Sequence, residues 1–198
     1  MYAYIKGILE VKSNDYVVID VNGIGYKIFM SGSAIDRLEE AGQTVKVYTH
    51  YYVREDNISL YGFITNEELR MFELLLSVSG IGAKSAIATL SCITPSEFAL
   101  SIISNDESKL IKIPGIGKKT AARLILELKD KLKTEEAITK NEKVAAVVSK
   151  QEESSEAVAA LQVLGYTKKE IEKALEQVDV NGLGTEEIIK LGLKYLAR

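Results

Sequence analysis

From Tyr2 to Phe63 apolar and polar positions alternate in short runs broken by turn residues. The runs Tyr4–Val11, Tyr16–Val21, Gly25–Met30, Val45–Val53 and Ile58–Phe63 are rich in β-branched and aromatic residues and predict five strands. Asn22-Gly23 is a hairpin-turn dipeptide between the second and third. Between the third and fourth, Ser31 to Ala41 places Ile35, Leu38 and Ala41 on one face before Gly42, which predicts one helix. The period changes after Asn66. Leu69, Phe72 and Leu76, and later Leu124 and Leu128, recur three and four residues apart, so the chain to Leu132 is expected to be helical. Lys133 to Ser154 holds Lys, Glu, Thr, Ala and Val without Gly, aromatic residues or a sustained apolar stripe, and is expected to be a flexible linker, with a frayed helix as the alternative. Ser155 to Arg198 predicts three short amphipathic helices, separated by Leu164-Gly165-Tyr166 and by Asn181-Gly182-Leu183-Gly184. Thr167 and Glu170 form a capping box at the second helix, and Thr185 is the expected cap of the third.

Five strands with an inserted helix fit a small closed barrel of the oligonucleotide-binding (OB) type. The chain thus divides into an OB-fold domain at 1–64, a helical domain at 65–132, a linker at 133–154 and a three-helix module at 155–198. The class is α+β multidomain. A three-helix module of this size has a small core, to which Leu161, Leu164, Ile171, Leu175, Ile188 and Leu191 are assigned.

Composition narrows the chemistry. No run has the length of a membrane span and the first residues lack a charged leader before an apolar block, so the expected location is the cytoplasm. One cysteine, Cys92, excludes an internal disulfide, and with one histidine, His50, no ordinary zinc cage forms; no metal and no cofactor are expected. The net charge of −3 excludes a polycation that coats nucleic acid. Residues 66–131 alone are slightly basic, with nine Lys and Arg against eight Asp and Glu. Any DNA binding therefore comes from placement.

An internal repeat supplies that placement. Leu75-Leu76-Ser77-Val78-Ser79-Gly80-Ile81-Gly82-Ala83-Lys84-Ser85-Ala86 matches Leu110-Ile111-Lys112-Ile113-Pro114-Gly115-Ile116-Gly117-Lys118-Lys119-Thr120-Ala121, position by position. Each copy is an apolar helix end, a Gly-Ile-Gly turn, then Lys and a hydroxyl residue opening a second helix. The glycines permit positive φ and close backbone approach, and the Ile anchors the turn. The second helix offers unpaired N–H groups and the positive end of its dipole, which suits a phosphate. Lys84 and Lys119 oppose that dipole at a cost of about 0.3 to 1 kcal/mol each, so their repetition points to an expected anion. A single Gly-x-Gly is more often a plain turn, and the duplication with Lys and Ser or Thr in register outweighs that reading. A nucleotide-binding loop is excluded because Gly117-Lys118-Lys119-Thr120 lacks the Gly-Lys-[Ser/Thr] adjacency and has Lys112 where the first Gly belongs.

These residues resemble paired helix-hairpin-helix motifs, which bind DNA phosphates without reading bases. With the barrel, the linker and the small terminal module, nearly the whole chain resembles the RuvA family of Holliday-junction-binding proteins. Tyr51-Tyr52-Val53-Arg54-Glu55-Asp56-Asn57-Ile58-Ser59-Leu60-Tyr61-Gly62-Phe63 resembles the family's acidic-pin hairpin. By spacing alone Glu55-Asp56-Asn57 is a solvated turn. The resemblance makes Glu55 and Asp56 the pin carboxylates and Arg54 a junction-adjacent residue. It assigns backbone contacts to Gly80, Ile81, Gly82, Lys84, Ser85, Gly115, Ile116, Gly117, Lys118, Lys119, Thr120 and Arg123. It further implies a non-catalytic homotetramer on four-way junction DNA, alone or as two tetramers, the ATPase RuvB as motor and the resolvase RuvC as a second partner, in branch migration, recombination and repair. The terminal module would contact RuvB, with Leu161, Leu164, Tyr166 and Ile171 as contact residues or as core.

Other positions receive plainer readings. Cys92 is expected to be a buried small hydrophobe, and His50 to be structural or solvent-facing, with a minor DNA contact left open by its nearness to the pin. Arg123 either reaches a phosphate or pairs with Glu127. Ala83, where the second copy has Lys118, is expected to weaken the first hairpin's grip. The rival functions are a helix-hairpin-helix repair enzyme, which needs a base pocket or clustered metal-binding carboxylates, and an OB-fold single-strand binder using Tyr48, Tyr51 and Tyr52. Neither explains both the duplication and the absence of a catalytic cluster.

Overall fold

The computed structural model of the chain describes residues 2–55, 57–139, 151–178, 180 and 183–196. Strands β1 (Tyr4–Lys12), β2 (Tyr16–Val21), β3 (Ile24–Phe29), β4 (Thr44–Val53) and β5 (Ile58–Phe63) close a barrel in the order β1-β2-β3-β5-β4. All neighbours are antiparallel except β3 and β5, whose parallel contact pairs Ile28 with Leu60 and Phe29 with Tyr61. Alternation fills the interior: Leu9, Val17, Ile19, Ile28 and Val47 have no exposed surface.

The inserted helix is shorter than its pattern suggests. α1 covers only Gly32–Asp36, capped by the Ser31 hydroxyl, which accepts from Ala34 N. Gly42 N donates to Leu9 O at 2.7 Å and Leu9 N to Gln43 O at 2.9 Å, so β1 recaptures the chain before a longer helix can form. Leu38 is buried all the same, just beyond the helix.

The remainder is helical: α2 (Asn66–Leu76), α3 (Ala83–Cys92), α4 (Pro95–Ile103), α5 (Glu107–Ile111), α6 (Lys118–Thr139), α7 (Gln151–Val163), α8 (Lys168–Leu175) and α9 (Thr185–Leu196). Capping boxes start α4 at Thr94 with Glu97 and α8 at Thr167 with Glu170, satisfying otherwise free N–H groups. Thr185 does not cap α9. Gly184 precedes the helix and donates its N–H to Glu187 Oε2, while the Thr185 hydroxyl donates to Glu156 of α7.

The expected linker is helical at both ends, since α6 runs through Thr139 and α7 begins at Gln151; residues 140–150 lie outside the described residues. Lys, Glu and Ala are good helix formers, so an unpatterned stretch continues a helix already nucleated. One apolar core passes from Phe63 of the barrel's last strand through Phe72, Phe98 and Leu124 to Leu161, Leu164 and Ile189. Helices α7 and α9 pack on α4, so the terminal three-helix unit shares the core of the hairpin region. Cys92, expected to be buried, is exposed because it ends α3 at the corner leading to α4.

Candidate nucleic-acid interface

The two Gly-Ile-Gly segments form the same turn. In the first, Val78 N donates to Leu75 O, Ile81 N to Val78 O and Ala86 N to Gly82 O; in the second, Ile113 N donates to Leu110 O, Ile116 N to Ile113 O and Ala121 N to Gly117 O. Gly80 and Gly115 both take the left-handed conformation, at φ 91° and 85°. A side chain there would be strained, which is why the motif needs glycine at its first position. Ile81 and Ile116 are buried beneath the turns. Gly82, Gly117, Lys84, Lys118 and Lys119 are exposed, with Ser85 and Thr120 half-buried beside them.

The helix starts differ from their neighbours in charge. α2, α4, α8 and α9 carry acidic residues in the first turn, whereas α3 and α6 carry none, and the Gly82 cap of α3 has no side-chain acceptor. The leading N–H groups of α3 therefore have no capping side chain as a partner. Among the described residues, Lys84, Lys118 and Lys119 form no salt bridge. Both sites offer donors and positive potential at once, the chemistry that holds a phosphate.

The turns also brace each other. Arg123 of α6 donates from Nη1 to Ser79 O of the first turn at 3.1 Å, and its Nε lies 3.7 Å from Glu127 Oε1. Ser85 Oγ lies 3.7 Å from where a Cβ would stand on Gly115. Arg123 thus makes the Glu127 pair and a cross-hairpin bond that sequence spacing did not suggest. Ala83 is buried while Lys118 is exposed, so packing accounts for the difference between the two copies at this position.

Earlier in the chain, β4 and β5 run paired to Val53 and Ile58, and Arg54 N donates to Asn57 O at 2.8 Å to close a tight loop. Glu55 is exposed at its tip; Asp56 lies outside the described residues. Arg54 donates to the Tyr52 hydroxyl at 2.7 Å and lies over that ring at 5.1 Å. An aromatic cluster then ties this ribbon to α2, the helix that leads into the first Gly-Ile-Gly turn. Ring centroids are 5.7 Å apart for Tyr52 and Tyr61, 5.2 Å for Tyr61 and Phe72, and 4.9 Å for Phe63 and Phe72. His50 packs edge-on against Phe72, and its Nδ1 lies 3.0 Å from Glu73 Oε1, a structural placement. Burial raises the Tyr61 phenol pKa, with a smaller contribution from Tyr52. Arg37 adds a second tie, pairing with Glu68, whose other oxygen accepts from Ile64 N at 3.0 Å. Tyr61 and Phe72 are the positioning residues that sequence reading missed; their spacing across a strand and a helix gave no local signal.

Known families match the chain in three stretches. One described as "RuvA N terminal domain" covers residues 1–62, one described as "SAM-like Helix-hairpin-helix tandem" covers 72–130, and one described as "RuvA, C-terminal domain" covers 152–197. A protein of Acetivibrio thermocellus named "Holliday junction branch migration complex subunit RuvA" is 52% identical over the full length of both chains. Proteins of the same name from Ruminiclostridium cellulolyticum, 47% identical over 99% of this chain and all of the relative, and from Clostridium perfringens, 48% identical over all of both, agree with it. The chain belongs to the RuvA family.

Within the RuvA C-terminal match, Leu161, Leu164 and Ile171 are fully buried and Tyr166 is 2% exposed. As the molecule stands, these four residues are core and present no surface to a partner. Among the described residues no three His, Cys, Asp or Glu side chains gather as a metal site, and no single helix is long and apolar enough to cross a membrane.

Proposed function

We propose that this RuvA-family chain is a non-catalytic, structure-specific DNA-binding subunit that holds four-way junctions open for branch migration in recombination and repair. It acts in the cytoplasm as a homotetramer, recruits the ATPase RuvB through its terminal module and shares the junction with RuvC. The observation that carries this reading is the rigid connection between two opposite features. The first of two helix starts with equivalent turns follows α2, whose Phe72 packs on the Tyr61 ring of the ribbon that carries exposed Glu55, and Arg123 ties the second hairpin to the first. Gly80, Ile81, Gly82, Lys84 and Ser85 would grip one stretch of backbone, and Gly115, Ile116, Gly117, Lys118, Lys119 and Thr120 the next, with Arg123 bracing the pair.

Backbone grip carries no sequence information, so a junction held this way slides through any sequence. The pin residues Glu55 and Asp56, brought together from four subunits, would repel converging phosphates and keep the separated strands apart at the crossover. The hairpins attract the arms while the pins clear the centre. The domains at 1–64, 65–132 and 155–198 then correspond to pin carrier, arm clamp and motor contact.

The test compares binding to a four-way junction, a linear duplex and a single strand at one salt concentration. The junction is expected to bind most tightly, by about tenfold or more over duplex, equivalent to about 1.4 kcal/mol. Equal or weaker junction binding removes the reading, and preference for single strand would favour the OB-fold alternative.

A further inference from the structure

The inward-facing stripe of the barrel strands runs on past the end of the barrel. On β4, Val45, Val47 and Thr49 are buried inside, whereas the next two residues of the same parity emerge: Tyr51 is half-buried and Val53 is 56% exposed. Tyr51 pairs with Leu60 and Val53 with Ile58, so β5 carries the stripe out alongside, and Ile58 is 61% exposed. β3, parallel to β5, does the same. Its Ile28 has no exposed surface, Tyr26 is half-buried and Ile24 is 60% exposed. β1 begins at this end too, since Tyr4 pairs with Tyr48. Just ahead of it, Tyr2 bridges the opening, with its ring centroid 5.9 Å from that of Tyr51 and 6.0 Å from that of Tyr26, both edge-on. Three tyrosines with Ile24, Val53 and Ile58 thus form an apolar rim at the barrel end that bears the Arg54–Asn57 loop.

The structure separates the β4 tyrosines. Tyr48 and Tyr52 share the other face of the strand, where Lys46 lies over the Tyr48 ring at 4.7 Å and Tyr52 packs on Tyr61. Tyr51 alone of the three belongs to the rim. Exposed aromatic rings suit planar partners, and stacking of a base on such a ring tolerates any sequence because every base has a π-face. Charge then selects which part of a DNA strand reaches the rim. Glu55 is exposed at the tip of the adjoining loop, and its carboxylate repels phosphates. A strand that passes this tip turns its backbone away and its bases toward the apolar rim. Bases within a duplex already have stacking partners on both faces. A base at a crossover, parted from one strand and not yet paired with the next, has a face to offer.

We propose that this tyrosine rim, centred on Tyr51, receives unpaired bases at the crossover by stacking, whatever their identity. The proposal rests on the junction-binding reading above and adds a second action beside the pin: the carboxylates act on the backbone, and the rim acts on the bases. A separated base then moves from one stack to another instead of into water. Stacking reads no base edge, so the rim does not hold the junction at preferred sequences.

The unaltered full-length chain provides the first test, free of any folding defect. Four-way junctions are prepared with iodouracil either at the crossover or in the middle of an arm. Long-wavelength ultraviolet light joins iodouracil to an aromatic ring stacked on it, and the linked peptide is identified by mass spectrometry. The crossover base is expected to join Tyr51, Tyr26 or Tyr2 at a yield severalfold above that of the arm base. Tyr51→Leu should lower the yield severalfold, and Tyr51→Phe should restore it, because the ring and not the hydroxyl does the stacking. Crosslinks confined to residues outside the rim, or equal yields from crossover and arm, overturn the proposal. A lower subunit number for Tyr51→Leu in sedimentation overturns it as well, since the rim is then a contact between copies of the chain. If the unaltered chain shows no preference for a four-way junction over linear duplex at equal salt, the junction reading fails and the rim falls with it. Junction preference without a rim crosslink removes the rim alone.

Discussion

Tyr166 carries the most perturbed phenol described. Burial, reinforced by the neighbouring Glu67 carboxylate, pushes its pKa up to about 12 from the ordinary 10, with Arg70 opposing. The sign of the consequence follows from which form is buried. The folded chain holds the neutral phenol, so this residue's contribution to stability is complete below pH 10, declines as pH rises toward 12 and is lost above it. Spectrophotometric titration should show a late phenolate component that disappears in Tyr166→Phe, a change that keeps the ring under Arg70. Burial raises the Tyr61 phenol as well, so only the difference between the two chains is diagnostic. A difference spectrum centred in the ordinary tyrosine range would show that Tyr166 is not held buried.

Among the elements, the hairpins give the sharpest expectation. Lys84 and Lys119 occupy equivalent positions in turns of equivalent hydrogen bonding, and both are exposed at helix starts without acidic neighbours in the first turn. If each neutralises one phosphate, Lys84→Ala or Lys119→Ala should reduce the slope of log affinity against log salt by roughly 0.9, uniformly across DNA sequences. An unchanged slope would take that lysine off the DNA. These hairpins were readable in the sequence because their geometry is local: glycine for a left-handed turn, an apolar anchor and a helix opening directly after it. Features set by distant contacts were not. α1 stops at Asp36 because β1 bonds to Gly42, and Cys92 is exposed because its helix ends at a corner. The packing of α7 on α4 was equally invisible, since small residues such as Ala157 and Ala160 mark close approach without naming the partner. The pin lay between these cases. Its loop was legible as a turn, and only family resemblance distinguished Glu55 and Asp56 from ordinary solvated acids.

For the molecule as a whole, the question is whether attraction at the hairpins and repulsion at the pin work as one device. Phe72 decides it, because its fully buried ring touches Tyr61 and Phe63 of the pin-bearing ribbon and belongs to the helix that enters the first hairpin. Phe72→Ala should cost about 3 to 5 kcal/mol of stability, read as a lower denaturation midpoint, which would obscure any effect on DNA. Phe72→Leu is the informative change: it keeps the site apolar and most of its volume, yet removes the ring contacts that fix the ribbon's angle on α2. Duplex affinity should then stay near that of the unaltered chain, since both helix starts survive, while the preference for a four-way junction should shrink as the pin loses its fixed position. Full junction preference in Phe72→Leu would mean that the pin needs no rigid support. Selectivity would then have to come from the arrangement of subunits around the crossover, with each chain contributing only its grip.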